Sequence, residues 1–118
     1  MGKLVFVVDD ESCIADTLAA ILRMSGYTAT AFYDGESALA ACHSAAPDLI
    51  ISDVIMPGMS GIELAIEVRE RYPQCRVLLF SGMAATTDLL ERARQRGHEF
   101  EVLAKPLHPA DLLAKMAA

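Results

Sequence analysis

Four runs of mostly apolar sequence each stop on residues with chemistry to offer. Leu4-Val8 stops on Asp9, Asp10 and Glu11, Leu49-Ser52 on Asp53, Val77-Phe80 on Ser81 and Gly82, and Phe100-Leu103 just before Lys105 and Pro106. Three carboxylates brought into one cleft repel each other, and without compensation one keeps its proton at neutral pH. A divalent cation removes that difficulty. Mg²⁺ suits such a set best, because it takes one or two carboxylates, retains several waters and completes its octahedron with a phosphoryl oxygen; Ca²⁺ wants more protein oxygens than the chain offers. Lys105 adds a positive charge, Ser81 a hydroxyl donor, and the Ser81-Gly82 turn backbone N–H groups. Together they describe a phosphoryl-binding pocket, where positioning and charge neutralisation carry the reaction and one carboxylate suffices as acceptor. Asp53, ending the central strand between the acidic pair and Lys105, is the natural acceptor.

Such a pocket requires elements that bring those strand ends together. Five extended segments alternate with five helical ones: Leu4-Val8, then a helix with Ile14, Leu18, Ile21 and Leu22 on one face, closed by Gly26. Thr28-Phe32 follows, then a helix opened by Asp34 and carrying Leu39 and Cys42, and then Leu49-Ser52 with a turn at Pro57-Gly58. Ser60 and Glu63 read as a capping box for a helix with Leu64 and Val68 inward. Val77-Phe80, a helix marked by Leu89, Leu90 and Ala93 and ended by Gly97, Phe100-Leu103, and a helix opened by Pro109 with Leu112, Leu113 and Met116 inward complete the chain.

Strict β-α alternation implies a parallel sheet with helices on both faces, joined by right-handed crossovers. Strands one, three and four are continuous apolar runs, whereas Thr28-Ala31 and Glu99-Val102 alternate as edge strands do. Placing each edge beside its sequence neighbour gives the order 2-1-3-4-5, whose winding reverses between strands one and three. Ligands bind at that reversal, beyond the carboxyl ends of the strands. Taken alone, Asp9 and Asp10 would read as an acidic cap on the first helix; convergence with Asp53 gives them a different use.

Composition narrows the rest. The 118 residues, 53% hydrophobic and 22% charged, fit one domain of about 150 residues or fewer and exclude disorder and repeats. No apolar run nears the roughly 20 residues of a membrane span, and the acidic stop after Val8 spoils a signal-peptide core, so the chain reads as cytoplasmic. Sixteen acidic against ten basic side chains give −6, which disfavours direct nucleic-acid binding. Cys13, Cys42 and Cys75 read as free buried thiols, and His43, His98 and His108 as surface or helix-end residues without zinc spacing.

VFVVDDE, LIISDVIMPGMSGIEL, LLFSG and VLAKP stand on four strand ends, in the order and near the spacing of the receiver domain of two-component response regulators, which the chain resembles along essentially its whole length. The resemblance implies one receiver domain over residues 1–118, with an α/β, flavodoxin-like (CheY-like), three-layer doubly wound sandwich of five parallel strands. It implies that Asp53 is phosphorylated from a phosphohistidine of a histidine kinase or phosphotransfer protein, and that the chain is a phosphoacceptor rather than an enzyme. Asp10 and Asp53 would bind Mg²⁺, with Asp9 mostly through water and the carbonyl of Ile55 as a further ligand. Lys105, Ser81 and the Gly82 backbone would contact the phosphoryl oxygens, and the Lys105-Pro106 bond would be cis.

Family switching draws the strand-four hydroxyl, here Ser81, onto the phosphoryl group while a strand-five aromatic turns inward. This remodels the face of helix four, strand five and helix five for an output domain, an effector or a homodimer partner. Val102 occupies the aromatic's place, and Phe100 does not inherit its role. Output is therefore expected to rely on movement of the Gly82-Thr87 loop and helix four. Ile55 and Met83 flank the acceptor with apolar bulk that would hinder water and lengthen the phosphorylated state. Arg92, Arg94 and Arg96 make helix four basic, with Arg92 and Arg96 on one face. A solvated face paired to Glu91 or its neighbours is preferred there over a docking or dimer surface. The short last helix favours excision from a longer regulator or hybrid kinase, with the receiver N-terminal.

Three rivals fit less well. A haloacid-dehalogenase-type phosphatase wants a second carboxylate where Ile55 stands. A flavodoxin-like electron carrier wants a Ser, Thr and Gly-rich loop where Asp9-Asp10-Glu11 stand. A pseudo-receiver acting as a constitutive interaction module would not need the intact pocket.

Overall fold

The computed structural model describes residues 3–82, 86–105 and 108–117. Five strands and five helices alternate as β1 (Leu4–Val8), α1 (Ser12–Met24), β2 (Thr28–Phe32), α2 (Gly35–Ser44), β3 (Leu49–Asp53), α3 (Gly61–Arg71), β4 (Arg76–Ser81), α4 (Thr86–Gln95), β5 (Glu101–Ala104) and α5 (Pro109–Ala117). All pairings are parallel and the order is β2-β1-β3-β4-β5, as the edge texture of β2 and β5 implies.

Side chains alternate across a strand, so each central strand feeds two cores. Val5 and Val7 pack with Leu18 and Leu22 of α1, Phe80 of β4 and Leu112 of α5. Phe6 and Val8 pack on the opposite face with Cys42 of α2, Leu64 and Val68 of α3, and Ala93 of α4. Burial on both faces is why β1, β3 and β4 carry no polar alternation. Helix ends follow their local chemistry. The Asp34 carboxylate accepts from Ser37 N–H, and Ser60 and Glu63 close the reciprocal capping box at α3. Gly26 and Gly97 lie just past α1 and α4 with φ of 96° and 87°, a left-handed turn that glycine adopts without a Cβ penalty.

Several boundaries differ from the sequence expectation. β3 extends to Asp53, which stays in the ladder opposite Phe80, and β4 runs from Arg76 to Ser81. β5 starts at Glu101 rather than Phe100 because its first partner is Leu78. Phe100 lies just outside the strand, its ring under the Arg69 guanidinium and stacked on His98.

Cys13 is exposed, contrary to expectation, because the buried stripe of α1 is Ala15, Leu18, Ala19 and Leu22; Cys42 and Cys75 are buried. Ile14 and Ile21 of the expected inner face are only half-buried. Among the α4 arginines it is Arg94 that pairs with Glu91, at 2.9 Å. No helix among the described residues is long and apolar enough to cross a membrane. Pro106 and Met83 lie outside the described residues, and with them the Lys105-Pro106 peptide and the centre of the Gly82-Thr87 loop.

Candidate functional site

The carboxyl edge of the sheet gathers Asp9 just past β1, Asp53 at the end of β3 and Lys105 just past β5. Asp9, Asp10 and Asp53 each offer a carboxylate oxygen, and the three lie within 4.8 Å of one another. Among the described residues this is the one cluster of three metal-capable groups. Asp9 is fully buried and Asp53 nearly so, while Asp10 faces solvent.

Asp9 is held from both sides by the backbone. Its N–H donates to Phe32 O at 3.1 Å, and its Oδ1 accepts from Glu11 N–H at 2.9 Å. Its Oδ2 is buried with no hydrogen-bond partner. Burial raises the Asp9 carboxyl to about 6; the Glu11 N–H opposes this, the Asp53 charge adds to it, Lys105 opposes and Asp10 adds. A buried carboxylate oxygen without a donor is costly, and a cation is the partner that such an oxygen lacks. Hard carboxylate oxygens on a solvent-open rim fit Mg²⁺, which needs few protein ligands.

Lys105 Nζ donates to Asp53 Oδ2 at 3.0 Å and lies 5.4 Å from the Phe80 ring centroid. Burial alone would depress this ammonium. The hydrogen bond and charge of Asp53, with the charges of Asp9 and Glu11, outweigh it and hold the group above the ordinary lysine value. The Lys105 N–H donates to Ser81 O at 3.2 Å, tying the end of β4 to the lysine. Gly82 follows closely: a Cβ there would meet Lys105 Cβ at 3.3 Å. A largely aliphatic cavity of ≈ 710 Å³ beside α1 also borders Lys105, but Glu11 is the only other charged residue lining it. The polar chemistry therefore lies on the carboxylate side of the ammonium.

Three further residues fix Asp53 and the turn after it, and sequence reading did not single them out for this. The buried Ser52 hydroxyl donates to Asp53 O at 2.9 Å. Gly61 packs so closely that a Cβ would sit 2.0 Å from that same carbonyl, and its N–H donates to Val54 O at 2.8 Å. Glu36 accepts from Met59 N–H at 3.3 Å and abuts Gly58, whose φ is 73°. The turn carrying Ile55 is thus pinned at Val54, Met59 and Gly61, with the Ile55 side chain left 41% exposed at the rim. A signal existed for Ser52, a polar residue inside an apolar strand; Gly61 and Glu36 carried none.

Asp9, Asp10, Asp53 and Lys105 are therefore brought together, with Ser81 and Gly82 against the lysine and Ile55 on the rim. Val102 stands elsewhere, on the sheet face toward α4, packed against the core cluster that contains Leu79 and Ala93.

The family model described as the response regulator receiver domain matches residues 5–117. The DNA-binding transcriptional regulator NtrC of Salmonella typhimurium is 40% identical over 103 residues, 87% of this chain and 22% of that protein. The probable transcriptional regulatory protein TcrX of Mycobacterium tuberculosis is 32% identical over 114 residues, 97% of this chain and 48% of that one. The chain thus spans less than half the length of either relative. Among solved structures, the Vibrio cholerae chemotaxis protein CheY4 superposes with a TM-score of 0.86 at 29% identity, covering 99% of this chain and 98% of that one. NtrX from Brucella abortus gives 0.83 at 30% identity, over 99% of this chain and 26% of that one. With the sheet order, the carboxylate cluster and the family match agreeing, the chain belongs to the receiver domain family of response regulators.

Proposed function

We propose that this chain is one receiver domain over residues 1–118 and that it takes a phosphoryl group onto Asp53 from the phosphohistidine of a histidine kinase or phosphotransfer protein. A carboxylate oxygen of Asp53 attacks phosphorus, the P–N bond breaks, and the departing imidazole takes up a proton. Asp53 begins this step already oriented, by Ser52 and Gly61 at its carbonyl and by Lys105 at its carboxylate. Preorganisation of this kind is most of what phosphoryl transfer needs.

Asp10, Asp53 and the Ile55 carbonyl would hold Mg²⁺, with Asp9 mostly through water, and the ion when bound would supply charge neutralisation for the incoming phosphoryl oxygens. Lys105 meets the phosphoryl group from the opposite side, and Ser81 and the Gly82 N–H supply donors near it. The observation that carries this reading is the buried Asp9 oxygen without a partner, in a carboxylate cluster that contains the Lys105-bound Asp53. A pseudo-receiver would have no use for so costly a cluster, and Ile55 leaves a dehalogenase-type phosphatase without its second carboxylate.

The chain acts as a phosphoacceptor, not as an enzyme with turnover on another substrate. Its output runs through the face of α4, β5 and α5 to an output domain, an effector or a second copy, in the cytoplasm. Because Val102 replaces the rotating aromatic, the response is carried by Ser81 and α4. The test is incubation with acetyl phosphate and Mg²⁺ followed by intact mass. One labile phosphoryl increment, released by acid and by base as an acyl phosphate is, is expected on the parent chain and none on Asp53→Asn or with a chelator. An unchanged mass on a folded parent chain would leave the pseudo-receiver reading.

A further inference from the structure

The groove between α3 and α4 includes neither the acidic cluster nor Lys105. Ile62 and Ile66 of α3 and Leu89 and Ala93 of α4 give it an apolar lining, and it encloses ≈ 240 Å³. Leu89, Arg92 and Ala93 of α4 and Arg96 just past its end follow one another at i, i+3, i+4 and i+7, a single stripe continuing the helix, and all four line the groove. Arg92 and Arg96 are exposed, and among the described residues neither side chain has an ion pair or hydrogen bond. Two nearby carboxylates are engaged elsewhere, and Asp88, one turn before Arg92, has no ion pair to it. Glu91 pairs with Arg94, and Glu63, the acidic residue in the groove, accepts from Ser60 N–H at 3.1 Å in the α3 capping box.

We propose that this groove docks an acidic amphipathic helix of a partner protein, seating one large apolar side chain between α3 and α4 and laying two carboxylates, one turn apart, on Arg92 and Arg96. The cavity has room for a side chain but not for a helix backbone, so the partner helix lies across its mouth. Residues four apart on a helix are separated by ~6 Å along its axis, so the two guanidiniums match carboxylates at i and i+4 on the partner. The planar guanidinium fork takes a carboxylate through two parallel hydrogen bonds. Exposed ion pairs add little affinity alone; the buried anchor supplies most of it, and the arginines select the partner's sign and register.

Nucleic acid fits less well. The lining is apolar, Glu63 is part of it, and the chain carries −6. The surface shares α4 with the α4, β5 and α5 face but pairs it with α3 instead of β5 and α5, and docking is read on the unphosphorylated chain, so it does not rest on the role of Asp53.

The test uses the full ¹⁵N-labelled chain and three probes: a helical peptide with one leucine anchor and two glutamates four residues apart, the same peptide with lysines for the glutamates, and a short DNA duplex. The acidic peptide is expected to shift amide signals of α3 and α4 and to weaken about tenfold in affinity on Arg92→Glu with Arg96→Glu. The lysine peptide is expected to bind that double variant and not the parent. Arg92→Ala with Arg96→Ala gives an intermediate affinity, and because both side chains are exposed the amide spectra of both variants stay native. The proposal is overturned if α3 and α4 signals stay still at millimolar acidic peptide. It is equally overturned if acidic and basic peptides bind the parent alike, or if the DNA shifts those signals more strongly than the peptide.

Discussion

Replacing Asp9 with Asn is expected to stabilise the metal-free fold while weakening its hold on Mg²⁺. The Asp9 carboxyl is raised from 3.8 to about 6, mainly by burial. The folded chain therefore binds this proton more tightly than the unfolded chain between those two values. Stability contributed by this group is full below the lower value and is lost as pH rises through the upper one. At 1.36 kcal/mol per pK unit, ionised Asp9 costs the native state about 3 kcal/mol at neutral pH.

Asn removes the charge and keeps an oxygen for the Glu11 N–H, so a gain of about 1–3 kcal/mol is expected at pH 7 to 8. For a domain of this size that raises the melting temperature by roughly 4–8 °C per kcal/mol. Urea titrations with a chelator, at half-unit steps from pH 4 to 8, read this as a gap between variant and parent that opens with pH and closes near pH 4. Saturating Mg²⁺ should close the gap at pH 7 as well, since the ion stabilises mainly the parent. A variant less stable than the parent at pH 8, or a gap independent of pH, would refute the reasoning.

Further outcomes follow from single contacts. Gly61→Ala places a Cβ 2.0 Å from Asp53 O, so backbone must shift; about 1–3 kcal/mol of stability is lost, and phosphorylation by acetyl phosphate slows even at temperatures where the variant is fully folded. Lys105→Ala removes the ammonium 3.0 Å from Asp53 and should slow phosphorylation about 10²-fold, while Mg²⁺ titration still saturates the site. Native-state alkylation should label Cys13 first, because it is exposed, whereas burial raises the Cys42 thiol and pushes that of Cys75 up to about 12. Peptide mapping after brief iodoacetamide treatment at pH 8 checks that order, and denaturation should equalise all three.

The fold was legible wherever a local rule coincided with a tertiary need. Continuous apolar runs mark β1, β3 and β4 because both faces of each are covered, and Asp34, Ser60 with Glu63, and Gly26 mark helix ends through backbone chemistry that needs no distant partner. Most of the candidate site was legible for the same reason: a polar residue interrupting an apolar strand stands at the carboxyl edge of the sheet.

What stayed hidden depends on contacts between distant segments. The start of β5 is set by the register of Glu101 on Leu78, so Phe100 was counted one residue too far into the strand. The exposure of Cys13 depends on which stripe of α1 meets the sheet, a matter of rotation by one residue. The approach of Gly61 to Asp53 O and the grip of Glu36 on Met59 join separate elements, and neither residue type announces such a contact. The lone oxygen of Asp9 could be anticipated as crowding but not as burial.

Borohydride trapping of the phosphorylated chain tests the central claim most directly. Reduction converts an acyl phosphate on aspartate to homoserine, which peptide mass mapping locates by residue. After incubation with acetyl phosphate and Mg²⁺, homoserine is predicted at position 53 alone and is absent when Mg²⁺ is chelated. Homoserine at Asp9 or Asp10, or its absence from a folded, metal-loaded chain, would contradict the account.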